Sequence, residues 1–537
     1  MTAGRITFDG QDITNADPTA IFGRGLVQVL EQMQSRLDWA LGGGGPRMIA
    51  RHHERGKILV RDRIDLLIDP GAPFLELTPL AGWGMYDGTL PSAGIVTGIG
   101  TVRGTACMII ANDATVKGGS FYRETVKKHI RAQEIAWENR LPVLYLVDCG
   151  GANLNQMEEV FYDENHFGGT FHRQCRMSAE GLPQLAVVFG ECTAGGAYIP
   201  ALCDEFVMVE GNASIHLGGP QIVKAAISEV VDRMELGGAS LHTLQSGVSD
   251  HIAPNEHAAL ARLRDMVGAL SYAQPFGPTR QTPRAPLYDP AEIPGIVGTD
   301  LSRPFDQREV IARLVDGSAF HEFKPLWGDT LVCGFAHIEG FPVGIIANNG
   351  VLFSEACLKG AHFIELCDQR GIPLLFLQNT TGFMVGCEAE LGGIAKHSAK
   401  LVYAMSNARV PRYTVITGSS YGAGNYGMSG RGFRPRFLFM WPNARLGGMN
   451  PDVGSGVLMD LRRASISRNP ATEAELAAHE NELRRMFEEK SDPYFCTARL
   501  FDDGIIDPRD TRRVLGLCLA VGAMEPVVRP SRPVYRM

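Results

Sequence analysis

The sequence lacks several short motifs by which side chains reveal an enzyme class. It contains no HExxH pair and no GxxxxGK[ST] loop, which disfavours a zinc hydrolase and a P-loop nucleotide-binding protein. None of its eleven cysteines lies in a CxxC pair or in a Cys/His cluster with zinc-ligand spacing. We therefore expect no metal site, and we interpret the cysteines as reduced thiols that mostly fill the core.

Long apolar runs and an excess of positive charge are also absent. No apolar run reaches the roughly 18 residues that a membrane-spanning helix needs. The net charge of −8 argues against a general nucleic-acid-binding protein. Residues 1–18 carry one Arg and three Asp, without the apolar core of a signal peptide or the Arg-rich bias of a transit peptide. These features predict a cytoplasmic protein.

Glycine, by contrast, is abundant. The chain has 62 glycines in 537 residues, where average usage would give about 38. Two related octapeptides, ECTAGGAY (191–198, the N-corner) and SSYGAGNY (419–426, the C-corner), each follow a β-branched apolar run and place small residues before a tyrosine. This pattern predicts two places where the backbone closely approaches a partner.

The similarity between the corners extends along the chain. Four further pairs of segments match in the same order: 62–80 with 308–326, 109–113 with 345–349, 141–148 with 372–379, and 212–219 with 443–448. A repeat of this length predicts two homologous domains. We place an N-terminal arm with a docking helix at 1–45, the domains at 46–275 and 298–537, and a Pro-rich linker at 276–297.

Within each half, apolar runs alternate with helical patterns. TACMIIAN (105–112), LPVLYLVD (141–148) and LAVVFGE (185–191) are typical of buried parallel strands. Residues 124–140 have helical spacing, residues 22–40 predict an amphipathic helix, and residues 465–490 predict a largely exposed one. The predicted fold class is α/β with two homologous halves, and ligands are expected at the carboxyl ends of the strands.

Each corner is suited to stabilising negative charge. A strand that ends in small residues and runs into a helix presents consecutive backbone N–H groups, as expected for 192–196 and 421–424. Such donors can form an oxyanion hole. Two equivalent holes fit a reaction between two carbonyl compounds, each becoming enolate-like in turn. The alternative is a tight strand–helix crossing at which only glycine fits.

Side chains with acid–base potential are isolated in the sequence. His166, His172 and His397 are interpreted as structural, and the carboxylates of 156–165 as part of a solvated loop in preference to an acid–base pair. A group of basic residues near the start of a predicted helix either contacts phosphates or forms a solvated face. Its members are Lys117, Arg123, Lys127, Lys128 and Arg131.

Six segments together resemble the carboxyltransferase (β) subunits of biotin-dependent acyl-CoA carboxylases. They are ANDATVKGGSFY, CTAGGAYIPA, NNGVLFSEACLKGAHFIELC, FLQNTTGFMVG, GSSYGAGNYGM and PRFLFMWPNAR. The similarity runs from about residue 46 to 530 and is greatest to the 3-methylcrotonyl-CoA and geranyl-CoA carboxylase branch. It implies tandem crotonase-like ββα-spiral domains, in a hexamer whose active sites lie between subunits.

The resemblance implies a C–C bond-forming ligase in which carboxybiotin gives CO2 to an acyl-CoA enolate. A separate α subunit would carry the biotin and use ATP to charge it, since this chain has no AMKM biotin-acceptor motif. The N–H groups of Gly195 and Gly196 would hold the thioester enolate oxygen, and those of Ala423 and Gly424 the ureido oxygen. Which hole serves which partner stays open at this point.

The resemblance also implies two sets of binding residues. The CoA and acyl set is Lys117, Gly118, Gly119, Gly151, Phe167, Gly168, Gly169 and Ala194. The biotin set is Thr381, Gly382, Phe383, Tyr421, Gly422 and Tyr426.

Departures from the family pattern leave the acyl group open. Gly169 stands where the methylcrotonyl branch usually has Arg, which predicts extra space, and CGGANLN resembles geranyl-CoA carboxylases. Cys387 replaces a usual Arg, and residues 449–456 replace VMGGEQAA. We expect 3-methylcrotonyl-CoA or a similar branched 2-enoyl-CoA as substrate. The alternatives are a longer substrate such as geranyl-CoA, the acyl-CoA decarboxylase subunit of a sodium pump, and a non-catalytic paralogue.

Overall fold

The computed structural model describes residues 7–8, 11–12, 18–270, 280–301, 303–464 and 472–523, with side chains from residue 28 onward. The strands in these ranges are β1 (Thr7–Phe8), β2 (Gln11–Asp12), β3 (Leu75–Leu77), β4 (Ile95–Val102), β5 (Thr105–Asn112), β6 (Val143–Cys149), β7 (Gln184–Thr193), β8 (Glu205–Val209), β9 (Ser214–His216), β10 (His251–Ala253), β11 (His321–Phe323), β12 (Leu331–Ile338), β13 (Phe341–Asn348), β14 (Leu374–Thr380), β15 (Arg412–Tyr421), β16 (Phe437–Met440) and β17 (Arg445–Gly447).

Helices connect and cover the strands. In the same ranges they are α1 (Pro18–Leu41), α2 (Pro46–Glu54), α3 (Val60–Leu67), α4 (Arg123–Glu138), α5 (Met157–Val160), α6 (Phe167–Ala179), α7 (Tyr198–Ala201), α8 (Pro220–Ile227), α9 (Arg233–Gly237), α10 (Ala239–Leu241), α11 (Glu256–Ala269), α12 (Ile293–Val297), α13 (Gln307–Leu314), α14 (Ser354–Arg370), α15 (Cys387–Leu391), α16 (Ile394–Asn407), α17 (Gly422–Gly427), α18 (Pro451–Ala464), α19 (Glu473–Ser491), α20 (Pro493–Ala498) and α21 (Thr511–Gly522). None of these helices combines the length and the apolar character that crossing a bilayer requires.

The large strands form two sheets with the same plan. The first has the order β10-β8-β7-β6-β5-β4-β3, with β9 pairing to β7, and the second has the order β11-β12-β13-β14-β15-β16, with β17 pairing to β15. In both, the first strands form an antiparallel meander, and the following strands add in parallel through helical crossovers. The predicted α/β class and the two homologous halves are confirmed.

Local details repeat between the halves as well. A Cβ on Gly98 of β4 would lie 2.4 Å from Cζ of Phe74, and a Cβ on Gly334 of β12 would lie 2.5 Å from Cζ of Phe320. Both sheets also break register at the same place, between β6 and β7 and between β14 and β15. Beyond the break, β7 and β15 run on past the sheet to pair with β9 and β17. Each extended strand then leads directly into one of the two corners.

The predicted strands 105–112, 141–148 and 185–191 coincide with β5, β6 and β7, whose side chains are almost all buried. The predicted docking helix is α1, whose Met33 and Ala40 are buried in one cluster with Ile416 and Met440 of the second half. This packing covers the apolar face of the helix, as an amphipathic helix requires.

Two other predicted segments need adjustment. The predicted linker does not stay irregular to its end, because residues 290–297 form a helical turn in which Ile293 and Val297 are buried. Proline is compatible with the first turn of a helix, where no backbone N–H is needed. The exposed helix predicted at 465–490 begins at Glu473, after a Thr472 capping box. Residues 271–279 and 465–471 lie outside the described residues.

A buried charge network ties the halves together. Nε and Nη2 of Arg131 on α4 each lie 2.9 Å from an oxygen of Asp503, and Arg431 lies 2.8 Å from the same carboxylate. Nearby, Nζ of Lys128 donates to the carbonyls of Thr78 and Ser92 at 2.9 and 3.2 Å. Lys128 and Arg131 are buried. For these two residues both sequence interpretations, phosphate contact and solvated face, are wrong.

Asp502 beside this network gives stability a pH dependence. Its Oδ1 accepts hydrogen bonds from Thr497 and Gly504, whereas Oδ2 has no hydrogen-bond partner among the described residues. Burial, together with the neighbouring Asp503 carboxylate, raises the pKa of Asp502 to about 7. An acid whose pKa is raised by folding is most favourable in the folded state when protonated, so its contribution falls as the pH rises from about 4 to 7.

We therefore expect Asp502→Asn to stabilise the protein more at pH 8 than at pH 5, with a difference of about 1–3 kcal/mol. The amide retains the Oδ1 acceptor and removes the ionisation. Thermal unfolding at the two pH values measures the effect, with Asp265→Asn as the control because Asp265 forms an exposed pair with Arg103. Equal changes in Tm at both pH values would show that Asp502 is ionised throughout this range.

Candidate active site at the two glycine corners

The N-corner includes the end of β7 at Thr193 and continues as a single turn, Ala194–Ala197, into α7. Ala194 has a φ of 54°, a left-handed value that L residues seldom adopt. A Cβ on Gly195 would lie 2.6 Å from Cε1 of Phe167, and one on Gly196 would lie 2.9 Å from Sγ of Cys149. Neither position has room for a side chain. The first N–H groups of such a turn have no partner inside the helix and are open to a ligand.

A second glycine turn lies beside the N-corner. The turn Lys117–Gly119 joins the end of β6 through hydrogen bonds from Gly150 N to Gly118 O and from Phe121 N to Gly151 O, at 3.1 and 2.9 Å. A Cβ on Gly119 would lie 2.1 Å from the carbonyl oxygen of Asp148, and one on Gly151 would lie 3.1 Å from that of Thr193. The structure therefore places Gly118, Gly119 and Gly151 next to the N-corner, with Lys117 exposed at its edge.

The aromatic wall of the N-corner comes from α6. Phe167 begins the helix and is buried, with ring centroids 4.4 Å from Phe121 and 5.0 Å from Phe171. Gly168 is exposed, and a Cβ there would contact nothing within 4 Å. At Gly169, however, a Cβ would lie 1.8 Å from the carbonyl oxygen of Glu164. The prediction that Gly169 opens extra space is wrong, because the backbone of residue 164 already fills it.

A buried ion cluster under the N-corner is a feature that sequence reasoning missed. Nζ of Lys57 lies 2.9 Å from both oxygens of Asp148, and Arg63 bridges Asp148 at 3.3 Å to Glu256 at 2.7 Å. Burial opposes ionisation of Asp148, but Arg63 and Lys57 outweigh it and lower its pKa. The sequence feature that could have indicated this cluster is the single charged residue, Asp148, at the end of the apolar run LPVLYLVD. The cluster fixes the end of β6 beside the glycines.

The C-corner repeats the geometry of the N-corner. β15 ends at Tyr421, and Gly422 has a φ of 54°, the same value as its counterpart Ala194. A Cβ on Gly424 would lie 2.9 Å from Cα of Gly382, and one on Gly427 would lie 2.8 Å from the Phe383 ring.

The structure thus brings the predicted biotin residues to one place. Gly382 and Phe383 contact α17, Thr381 is exposed in the loop that holds them, and Tyr426 is 54% exposed at the rim. Tyr421 is buried, and Gly422 and Ala423 line a cavity described below.

Residues 418–422 have the spacing of a GxSxG nucleophile turn, and residues 422–427 that of GxGxxG. The middle serine, Ser420, is fully buried, and its hydroxyl donates to Oε1 of Gln378 at 2.5 Å while accepting from Asn425 at 2.9 Å. A buried and fully paired hydroxyl cannot reach a substrate. Both spacings therefore belong to the construction of the corner, with Gln378 and Asn425 as its polar support.

A cavity of about 730 Å³ lies between α4 and α6, and one of about 540 Å³ opens on the C-corner. The second is bounded by the corner itself, by β17 and its following turn, and by α19 and α20. Its lining residues are Gly422, Ala423, Asn425, Tyr426, Leu446, Gly447, Gly448, Met449, Phe487, Lys490, Ser491, Phe495, Cys496 and Phe501. Its walls are mainly aromatic and aliphatic, so a flat organic ring fits it.

The remaining sequence candidates lie elsewhere. His166 precedes α6 and accepts from the N–H of Asp163 at 3.1 Å, and His172 is exposed in the larger cavity. The carboxylates of 156–165 are mostly exposed, as predicted for a solvated loop. The cysteines are free and mostly buried, although Cys387 is exposed at the start of α15. No group of three or more potential metal ligands occurs among the described residues.

Comparisons with known proteins show the family to which the chain belongs. A model of the carboxyl transferase domain family matches residues 51–535. The chain is 52% identical to the biotin-dependent 3-methylcrotonyl-CoA carboxylase beta1 subunit of Mycobacterium tuberculosis, over 95% of this chain and 97% of that protein. It is also 52% identical to the mitochondrial methylcrotonoyl-CoA carboxylase beta chain of Dictyostelium discoideum, over 95% and 87% of the two chains.

Among solved structures, the chain is similar to the geranyl-CoA carboxylase beta subunit of P. aeruginosa, with a TM-score of 0.85 and 39% identity over 99% of this chain and 100% of that chain. The duplicated sheet, the paired glycine corners and the family match point to the same conclusion. The chain belongs to the carboxyl transferase domain family, among the β subunits of biotin-dependent acyl-CoA carboxylases.

Proposed function

We propose that this chain transfers a carboxyl group from carboxybiotin, carried on a partner subunit, to an acyl-CoA. The observation that supports it most is the repetition of one backbone device, with a φ of 54° at both Ala194 and Gly422, at the ends of equivalent strands. Each corner has no room for a side chain at its central glycine. A device of this kind binds an oxygen that gains negative charge, and two copies serve two such oxygens.

The positions of the corner residues support the roles proposed for them. At the N-corner, the N–H groups of Gly195 and Gly196 hold the thioester oxygen as the acyl-CoA becomes an enolate. At the C-corner, those of Ala423 and Gly424 hold the ureido oxygen of biotin, since the cavity beside them suits a flat ring. Bound carboxybiotin supplies CO2. The aromatic side chains around both corners exclude water, which strengthens these hydrogen bonds.

We infer that the acyl group is 3-methylcrotonyl or a similar branched 2-enoyl group, as the names of the 52% identical relatives indicate. Geranyl-CoA is the second candidate, because the similar solved structure is a geranyl-CoA carboxylase subunit. Two sequence features favoured a longer acyl group, and the filled space at Gly169 removes one of them. The other feature, the CGGANLN segment, remains.

Two kinds of partner follow from this function. One is an α subunit that carries biotin and charges it with ATP and bicarbonate. The other is a second copy of the chain, with the N-corner of the 46–275 domain facing the C-corner of the 298–537 domain across a subunit interface in a hexamer. Tyr198 and Tyr426, the last residues of the two corners, are 45% and 54% exposed in the single chain and are available for that contact.

A carboxylation assay across acyl-CoAs of graded length tests the proposal. The purified chain, its biotinylated partner, ATP and labelled bicarbonate are mixed with propionyl-, 3-methylcrotonyl- or geranyl-CoA, and label fixed in acid-stable product is counted. We expect fixation with a branched 2-enoyl-CoA and none without the partner. Turnover of propionyl-CoA alone would overturn the substrate assignment, and no fixation with any acyl-CoA would overturn the function.

A further inference from the structure

The cavity on the C-corner contains one charged side chain among the described residues that line it. That residue is Lys490, the penultimate residue of α19, and it is exposed. The corner residues Gly422 and Ala423 line the same cavity, as do the aromatic residues Phe487, Phe495 and Phe501. A cation and the backbone of the corner therefore border one largely apolar space.

Residues next to Lys490 hold the end of its helix to the corner. Its neighbour Ser491 is buried and forms a side-chain hydrogen bond with Tyr421, the last residue of β15. Sγ of Cys496, in the following helix α20, lies 3.8 Å from the carbonyl oxygen of Leu446 on β17, which pairs with β15. The carboxyl end of α19 is thus held to the strand that builds the corner.

An ordinary role for this lysine is to complement the dipole at the carboxyl end of α19. That role does not explain why it is the one charged residue among the described residues that line a largely apolar cavity. These described lining residues also include no carboxylate that would neutralise it. An ammonium group at the border of such a cavity favours an anionic group on the ligand, because its positive charge attracts one. The ligand that fits is a flat ring with a carbonyl oxygen for the corner and a carboxylate for the lysine.

We propose that Lys490 is a positioning residue that binds the carboxylate of the N-carboxylated urea ring and so distinguishes the charged carrier from the uncharged one. This inference rests on the proposed function. When the C–N bond breaks, its electron pair returns to the ureido group, whose oxygen the C-corner holds, and CO2 leaves without charge. Lys490 keeps its proton throughout and loses its ion pair at that moment.

The test compares binding of the carboxylated and uncarboxylated carrier. We expect Lys490→Met to raise KM for the carboxylated partner subunit about tenfold, while the inhibition constant of the uncarboxylated partner stays within about twofold of wild type. Lys490→Arg should restore most of the lost affinity, since it keeps the positive charge. The control is Arg485→Met, which removes one positive charge from the exposed face of the same helix.

The outcomes separate a positioning role from a structural one. A role limited to capping α19 would lower Tm and weaken both forms of the carrier equally, and that result would overturn the inference. Equal behaviour of Lys490→Met and Arg485→Met would also overturn it. If the wild-type chain transfers no carboxyl group to any acyl-CoA, the proposed function itself fails. If the wild type is active and Lys490→Met loses no discrimination, only this inference fails.

Discussion

Gly195→Ala should lower kcat/KM for the acyl-CoA about 10²- to 10³-fold, the loss expected when one oxyanion-hole donor is displaced. The new Cβ would lie 2.6 Å from Cε1 of Phe167. Phe167 cannot move aside, because it is buried and packed between Phe121 and Phe171. The corner must therefore shift away from the position at which its N–H groups meet the thioester oxygen.

The effect of Gly195→Ala on enolate formation can be measured directly. The assay follows exchange with solvent of the acyl-CoA proton that carboxylation replaces, in the presence of free biotin. Decarboxylation of carboxybiotin at the C-corner should be much less affected, since the C-corner belongs to the other sheet. Gly268→Ala is the matched control, because a Cβ there meets only the Arg103 side chain at an ordinary 3.7 Å. Normal exchange in a folded Gly195→Ala protein would refute the assignment of the N-corner.

Gly424→Ala should have the complementary effect and reduce decarboxylation of carboxybiotin at least about 10²-fold. Its Cβ would lie 2.9 Å from Cα of Gly382 and 3.0 Å from Cγ2 of Thr380. One of the clashing atoms belongs to the backbone of Gly382, so a change of side-chain rotamer cannot relieve the clash. Either α17 or the loop at Gly382 therefore has to move. Both changes displace the N–H groups that face the ureido oxygen.

Binding of the acyl-CoA separates this variant from a general folding defect. We expect its Kd, measured by calorimetry, to stay near the wild-type value in Gly424→Ala. Gly432→Ala is the control in the same half, since a Cβ at that exposed position meets nothing within 4 Å. Loss of acyl-CoA binding together with carboxybiotin turnover would show that the two corners are not the separate binding devices proposed here.

Much of this protein could be predicted from the order of its residues. Buried strands such as 141–148 are apolar along their whole length, because a parallel strand is covered on both faces. The repeat can be recognised in the sequence because the same backbone conformation in each half requires small residues at corresponding positions. Gly195–Gly196 and Ala423–Gly424 are such positions. The chain by itself therefore determined the α/β class, the two halves and the two corners.

Only the tertiary structure decided which side chains are buried and paired and which border an open cavity. Arg131 and Lys128 were predicted either to contact phosphates or to form a solvated face. Instead, Arg131 binds Asp503, which lies 372 residues away along the chain, and Lys128 donates to buried carbonyls. Gly169 looked like an opening, but the Glu164 carbonyl fills it. The sequence predicted only that Lys490 lies in a largely exposed helix, whereas in the structure it lines the cavity of the C-corner. Local pattern specifies conformation, whereas burial, pairing and open space depend on segments that only folding brings together.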